Sequence, residues 1–135
     1  MSKKILIQSL IKVKNAGISN CNFVEVKNIK LNRDVFELLY KEGFINAVII
    51  KNCFILIIVL KYYNGYFLLK NLKIFSNFIK PYYLSYNKLL KIYSGCYKFN
   101  YFMLLNTSYG LLTIQELFFR NYKIGGQLLF TIDLL

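Results

Sequence analysis

Along residues 3–16 the apolar positions Leu6, Leu10 and Val13 repeat at steps of four and three, the spacing of one helix face. Lys4, Gln8, Lys12 and Asn15 form a second stripe at the same spacing. The pattern predicts a helix with one buried face and one basic, amide-bearing face, and Gly17 is placed to end it. Residues 23–27 alternate as a short strand does. A second helix is expected over roughly 29–42, with Leu31, Val35, Leu38 and Leu39 buried and Asn28 or Asn32 as its cap. Lys41 falls in its last turn, where a cation suits the helix dipole, and Gly43 follows its end. Two β-rich runs come next, 45–50 and 54–61, split by Lys51-Asn52. A third begins after Asn64-Gly65, a strong hairpin signal because both central residues of such a turn need positive φ. The order to this point is α-β-α-β-β-β.

The second half is less periodic. Residues 81–86 read as extended, starting at Pro81, and 88–93 as a helical turn. A strand is expected over 102–106, running into Thr107-Ser108-Tyr109-Gly110, then a short strand at 111–113. Residues 114–122 have helical spacing with Leu117 and Phe118 inward, Gly125-Gly126 reads as a turn, and 128–132 as the last strand. No internal repeat and no Pro- or Ser-rich linker is present. A boundary is expected near 73–78, which divides the chain into an α/β module, 1–75, and a β-rich module, 76–135.

Charge changes this picture. The 135 residues carry 18 Lys and Arg against 6 Asp and Glu, a net charge of +12, while 56% of the chain is apolar. A disordered basic tail lacks that apolar content, and seven Gly, one Pro and three Cys exclude collagen-like and disulfide-stapled chains. The partner is expected to be a polyanion or an anionic membrane surface. Between Glu42 and Glu116 there is no acidic residue, yet eight Lys fall there, several beside aromatics, as in Lys61-Tyr62-Tyr63, Lys80-Pro81-Tyr82-Tyr83 and Lys98-Phe99. Lys on phosphates and rings on bases suit nucleic acid. Lys, Asn, Ile, Phe and Tyr make up over half of the chain, the imprint of an AT-rich genome and hence of an organelle or an AT-rich parasite.

The most apolar run, 53–60, is bracketed by Lys51 and Lys61 and is far short of the roughly 20 residues that span a bilayer, so no membrane insertion is expected. The start, MSKKILIQSL, has no sustained apolar stretch and no small-residue cleavage site, so neither a signal peptide nor a targeting helix is expected, and an organellar protein of this kind is expected to be made in the organelle. Cys21, Cys53 and Cys96 lie 32 and 43 residues apart, a spacing that fits no zinc or redox motif, and are expected to be buried small hydrophobes.

Catalytic chemistry is not expected. There is no His, the six acids show no paired-carboxylate or metal-loop spacing, and no phosphate loop is present; no metal or cofactor is implied. Asn106-Thr107-Ser108 before Gly110 is the cluster of interest, because two hydroxyls, an amide and exposed backbone are groups that contact RNA sugars, phosphates and splayed bases.

Four blocks in order resemble one family, small-subunit ribosomal protein S8 of the bacterial and organellar type. They are LIKVKNA at 10–16, LLYKEGFI at 38–45, LKYYNG at 60–65, and NTSYGLLT at 106–113 followed by Gln115-Glu116 and IGGQLLF at 124–130. Asn106 stands in place of the family's first Ser, Tyr109 in place of a basic residue and Gln127 in place of an acid, and of the family's Ser-Arg/Lys-Pro-Gly segment only Ser76 remains. About four residues are added near 97–101 and two between Glu116 and Gly125. The resemblance implies an α+β fold, an N-terminal α-β-α-β-β module packed against a mostly β C-terminal module with a short helix. It implies a structural, non-enzymatic protein that binds the central domain of small-subunit ribosomal RNA beside neighbouring small-subunit ribosomal proteins, by shape and backbone recognition. Carried over, Lys12, Lys14 and Asn15 would touch RNA from the first helix; Asn106, Thr107 and Ser108 would form the main contact; Tyr83 and Gly110 would shape it; Glu116, Gly125 and Gly126 would contact or support it. A mitochondrion is favoured over a plastid-type organelle. The alternatives are a small basic protein of a membrane surface and an RNA chaperone outside the ribosome.

Overall fold

A computed structural model describes residues 2–75, 82–94 and 101–133; Ser76, Lys80, Pro81, Cys96 and Lys98-Phe99 lie outside the described residues, as does most of the added stretch near 97–101. The chain forms two compact units, Met1–Lys70 and Asn71–Leu135. Helices and antiparallel sheets occur in both, so the chain is α+β.

The first unit begins with α1 (Ser2–Ile18), β1 (Phe23–Lys27), α2 (Lys30–Lys41), β2 (Ile45–Ile50) and β3 (Ile55–Leu60). The three strands make an antiparallel sheet in the order β1-β3-β2. Strand β3 alternates strictly, with Leu56, Ile58 and Leu60 buried. Val24 and Val26 lie opposite Ile58 and Leu56, so one face of the sheet is apolar. Both helices cover it: α1 packs on β1 and α2, and α2 on β2. Leu6, Leu10 and Val13 of α1 are buried as the spacing predicts, and Lys4, Gln8, Lys12 and Asn15 are exposed. Side chains of this size stabilise the fold by about 1.5–3 kcal/mol each when fully buried.

Four local expectations differ. Gly17 does not end α1; it is buried in the last turn, where a Cβ would lie 2.1 Å from the Phe67 ring, and Asn20 takes the positive φ instead. Neither Asn28 nor Asn32 caps α2, whose N-cap is Ile29. Asn32 is instead fully buried: its Nδ2 donates to Ser9 Oγ at 3.0 Å and to the Lys27 carbonyl at 2.9 Å. Phe36 is buried as well, whereas Leu31 and Leu38 are half-buried, so the inward stripe of α2 is Asn32, Val35, Phe36 and Leu39. Cys21 and Cys53 are exposed, not buried, because both fall in connections, the first after α1 and the second between β2 and β3. After β3, strands β4 (Tyr62–Tyr63) and β5 (Tyr66–Phe67) form a separate ribbon about Asn64-Gly65, both at positive φ as the dipeptide predicts.

The second unit contains β6 (Leu72–Ile74), β7 (Tyr82–Leu84), α3 (Tyr86–Ser94), β8 (Tyr101–Thr107), β9 (Gly110–Thr113), α4 (Ile114–Phe119) and β10 (Gly126–Asp133). All its strand pairs are antiparallel, and β10 is the central strand. One edge of β10 pairs with β8, which continues to β9; the other is shared by β7 at 126–128 and β6 at 130–132. Paired along both edges, β10 is buried at every residue from Gln127 to Ile132. Helices α3 and α4 lie over one face, where Leu84, Leu89, Met103, Leu105, Ile114, Leu117 and Leu128 form a cluster. The third β-rich run is thus divided: Tyr66–Phe67 pairs in the first unit, while Leu72–Ile74 belongs to the second sheet. The helical turn expected at 88–93 is a nine-residue helix beginning at Tyr86, because Ser85 caps it; Ser85 Oγ accepts the Lys88 N–H at 3.4 Å.

Candidate nucleic-acid interface

The turn between β8 and β9 is built by its own side chains. Thr107 Oγ1 donates to the Gly110 carbonyl at 3.0 Å and accepts the Tyr109 N–H at 3.1 Å. Gly110 sits at φ +102, a conformation that only glycine adopts without strain. The Thr107 hydroxyl proton is therefore used inside the turn, and this side chain shapes the surface more than it offers a donor. Ser108 is exposed at the tip, and its hydroxyl has no partner among the described residues.

Strand pairing brings the rest of the cluster to this turn. Gln127 lies opposite Tyr83 on one side and Asn106 on the other. Residues directly opposite share a face, so Tyr83, Gln127 and Asn106 make a row on the face away from the Leu84–Leu128 cluster. Gly125 and Gly126 do not make a turn, as the sequence implied; Gly126 starts β10 and Gly125 precedes it, neither at positive φ. They serve a close approach. A Cβ on Gly125 would lie 2.3 Å from the Leu84 carbonyl oxygen, and one on Gly126 would lie 2.8 Å from Thr107 Cγ2. Without side chains there, the ends of β7 and β8 draw in on both sides of β10.

The result is an open groove of about 540 Å³. Tyr83, Asn106, Thr107, Ser108, Gly125 and Gly126 line it, so six of the residues singled out from the sequence meet in one place. Ser85, Lys88 and Gln127 line it too and were not anticipated. The signal for Lys88 was Ser85, a cap residue ahead of a helical run, which places a lysine one turn inside the new helix. Its ammonium and the N-terminal end of α3 bring positive potential to a wall of amides and hydroxyls, a combination suited to phosphate.

The other singled-out residues lie elsewhere. Gly110 does not line the groove but holds the turn beside it. Glu116 is in α4, where its N–H donates to the capping Thr113 Oγ1 at 3.2 Å, and its side chain faces a different depression with Leu90, Tyr93 and Phe119. An acid in the first turn suits the helix dipole, which accounts for Glu116 structurally. In the first unit, Lys12 and Asn15 are on the exposed stripe of α1 and Lys14 is half-buried on a different face. Lys12 Nζ donates to the Glu25 carbonyl at 2.7 Å, on the outer edge of β1, and the Glu25 carboxylate is paired with Lys51 at 2.9 Å.

Among the described residues no three potential metal ligands cluster, and no helix is long and apolar enough to cross a membrane. The family model for ribosomal protein S8 matches residues 5–132. The chain is 34% identical over 129 residues to "Small ribosomal subunit protein uS8m" of Acanthamoeba castellanii, covering 95% of this chain and 98% of that protein. It is 32% identical over 127 residues to "Small ribosomal subunit protein uS8c" of Tupiella akineta, covering 91% and 92%. The first relative is mitochondrial and the second from a chloroplast. Members of this family are structural components of the small ribosomal subunit, not enzymes. Matched over almost its whole length, and similar to organellar relatives over nine-tenths of it, the chain belongs to the ribosomal protein S8 family in its organellar form.

Proposed function

We propose that the protein binds the central domain of small-subunit ribosomal RNA in a mitochondrial ribosome, supports the assembly of that domain, and packs there beside other small-subunit proteins. The observation that carries this reading is the groove of the second unit, where Tyr83, Asn106, Thr107, Ser108 and the Gly-Gly floor meet beside Lys88. Such a wall of short polar side chains and close backbone fits the sugar-phosphate edge of a distorted RNA helix, read mainly by shape. The exposed Lys4, Gln8, Lys12 and Asn15 stripe of α1 supplies a second, sequence-independent contact. A mitochondrion is favoured by the slightly higher identity and coverage of the mitochondrial relative.

The test is binding to a transcript of the central domain from the genome that encodes the chain. Each neutral hydrogen bond lost is worth about 0.5–1.5 kcal/mol, so Asn106→Ala with Ser108→Ala should weaken binding roughly five- to 150-fold and leave the thermal transition in place. Thr107→Ser keeps the turn hydrogen bonds and should bind almost as the parent does. Unchanged affinity in the Asn106/Ser108 double variant refutes the groove as the contact.

A further inference from the structure

Tyr109 at the tip of the β8–β9 turn is stacked on Tyr122 from the connection after α4, with ring centroids 4.3 Å apart and planes 15° from parallel. The lower ring is anchored, because Tyr122 is half-buried and packs against the Leu84–Leu128 cluster. Tyr109 as a residue is 61% exposed although Tyr122 covers one face of its ring, which leaves the opposite face to solvent. Its backbone is held as well, through the Thr107 Oγ1 hydrogen bonds on either side. Arg120 and Lys123 flank Tyr122 in sequence and are exposed, and no acid occurs between Glu116 and Asp133.

We propose that the Tyr109–Tyr122 pair is a stacking platform for one unstacked RNA base, with Arg120 and Lys123 on neighbouring phosphates. The inference deepens the reading of the 106–108 turn as an RNA contact and rests on it, since Ser108 is adjacent to the platform. An aromatic pair that served packing alone would gain most by burying both rings; this one holds an outer face open beside cations. Base–aromatic stacking tolerates any base, because each has a π-face. The platform is also preorganised: the ring below and the turn hydrogen bonds already fix Tyr109, so little freedom is lost when a base lands on it. The occupant is thus a base splayed out of a helix, bulge or loop, held at the tip of the turn whose residues Asn106, Thr107 and Ser108 line the groove.

The chain contains no Trp, which makes a clean test possible. Tyr109→Trp places one indole at the platform, and Phe119→Trp places one at a residue of α4 that is 87% exposed, as a control. On saturation with the central-domain transcript, emission of Tyr109→Trp should be quenched severalfold while Phe119→Trp changes little. Tyr109→Phe should bind as the parent does, and Tyr109→Leu roughly five- to 150-fold more weakly. Parental affinity in Tyr109→Leu, or quenching of Tyr109→Trp no greater than in the control, overturns the platform; should Tyr109→Leu fail to fold, the quenching comparison decides. If Asn106→Ala with Ser108→Ala loses affinity while Tyr109→Leu does not, the platform fails and the turn reading stands. If the parent does not bind the transcript above its binding to unrelated RNA, the turn reading fails and the platform with it.

Discussion

Gly125→Ala is the substitution whose sign depends most sharply on the packing between β7 and β10. Gly125 is not at positive φ, so by backbone preference alone alanine should stabilise the protein, by about 0.4–1 kcal/mol through the unfolded chain. The structure reverses that sign. The new Cβ would lie 2.3 Å from the Leu84 carbonyl oxygen and 3.1 Å from Ser85 Cα, both main-chain atoms that cannot rotate away. Ordinary carbon–oxygen contacts begin near roughly 3.3 Å, so β7 and the chain entering β10 must part by about 1 Å. Overpacking of this kind costs about 1–3 kcal/mol, and each β7–β10 hydrogen bond lost adds about 0.5–1.5 kcal/mol. A net loss of about 2–4 kcal/mol corresponds to a fall in Tm of roughly 8–32 °C for a unit of this size. Thermal unfolding of the full chain, followed by circular dichroism, reads it directly. RNA affinity should fall with it at temperatures where the variant is still folded, because Tyr83 is displaced from Asn106 across β10. A Tm equal to or above that of the parent refutes the close-approach account of the Gly-Gly pair.

Three further outcomes follow from particular contacts. Lys88→Ala should weaken RNA binding at low salt and reduce the slope of log K against log salt by about one, measured as a salt series against the parent. Asn32→Ala should destabilise the protein by about 1–3 kcal/mol, because two hydrogen bonds of about 0.5–1.5 kcal/mol each are lost, to Ser9 Oγ and to the Lys27 carbonyl; combined with Ser9→Ala, the loss should be less than the sum, since Asn32 and Ser9 share a hydrogen bond. Burial, and then the nearby Cys21, push the Tyr62 phenol above its ordinary value of 10.0. The unfolded chain therefore gives up this proton first, so stability should fall as pH rises above 10.0, and Tyr62→Phe should flatten that part of the urea-stability profile.

Elements defined by neighbours in sequence were legible. The period of Leu6, Leu10 and Val13 placed the buried side of α1, and Asn64-Gly65 marked its hairpin because the φ requirement is local. Gly43 ends α2 at φ +86, with the Phe44 N–H returning to the Leu39 carbonyl at 2.9 Å, as a glycine after a helix should. What was not legible depends on distant chain. Glycine serves both for positive φ and for close approach, and nothing around Gly17 or Gly125-Gly126 says which; the deciding atoms belong to Phe67, Leu84 and Thr107. Strand β6 joins a sheet whose central strand begins more than fifty residues later. A polar residue on a helix reads as a cap or a surface position, so Asn32 was not expected in the core, where Ser9 and Lys27 supply its partners. In the candidate interface, the Asn-Thr-Ser cluster was visible as chemistry, but the commitment of the Thr107 hydroxyl to its own turn and the stacking of Tyr109 on Tyr122 were not.

The central claim is specific recognition of one part of one RNA through the second unit. Hydroxyl-radical footprinting of the full-length small-subunit ribosomal RNA from the encoding genome, with the purified chain at physiological salt, tests it most directly. Protection should be confined to a helix of the central domain and lost in the Asn106→Ala, Ser108→Ala double variant. Protection outside the central domain, or a central-domain footprint unchanged by those two substitutions, would contradict it.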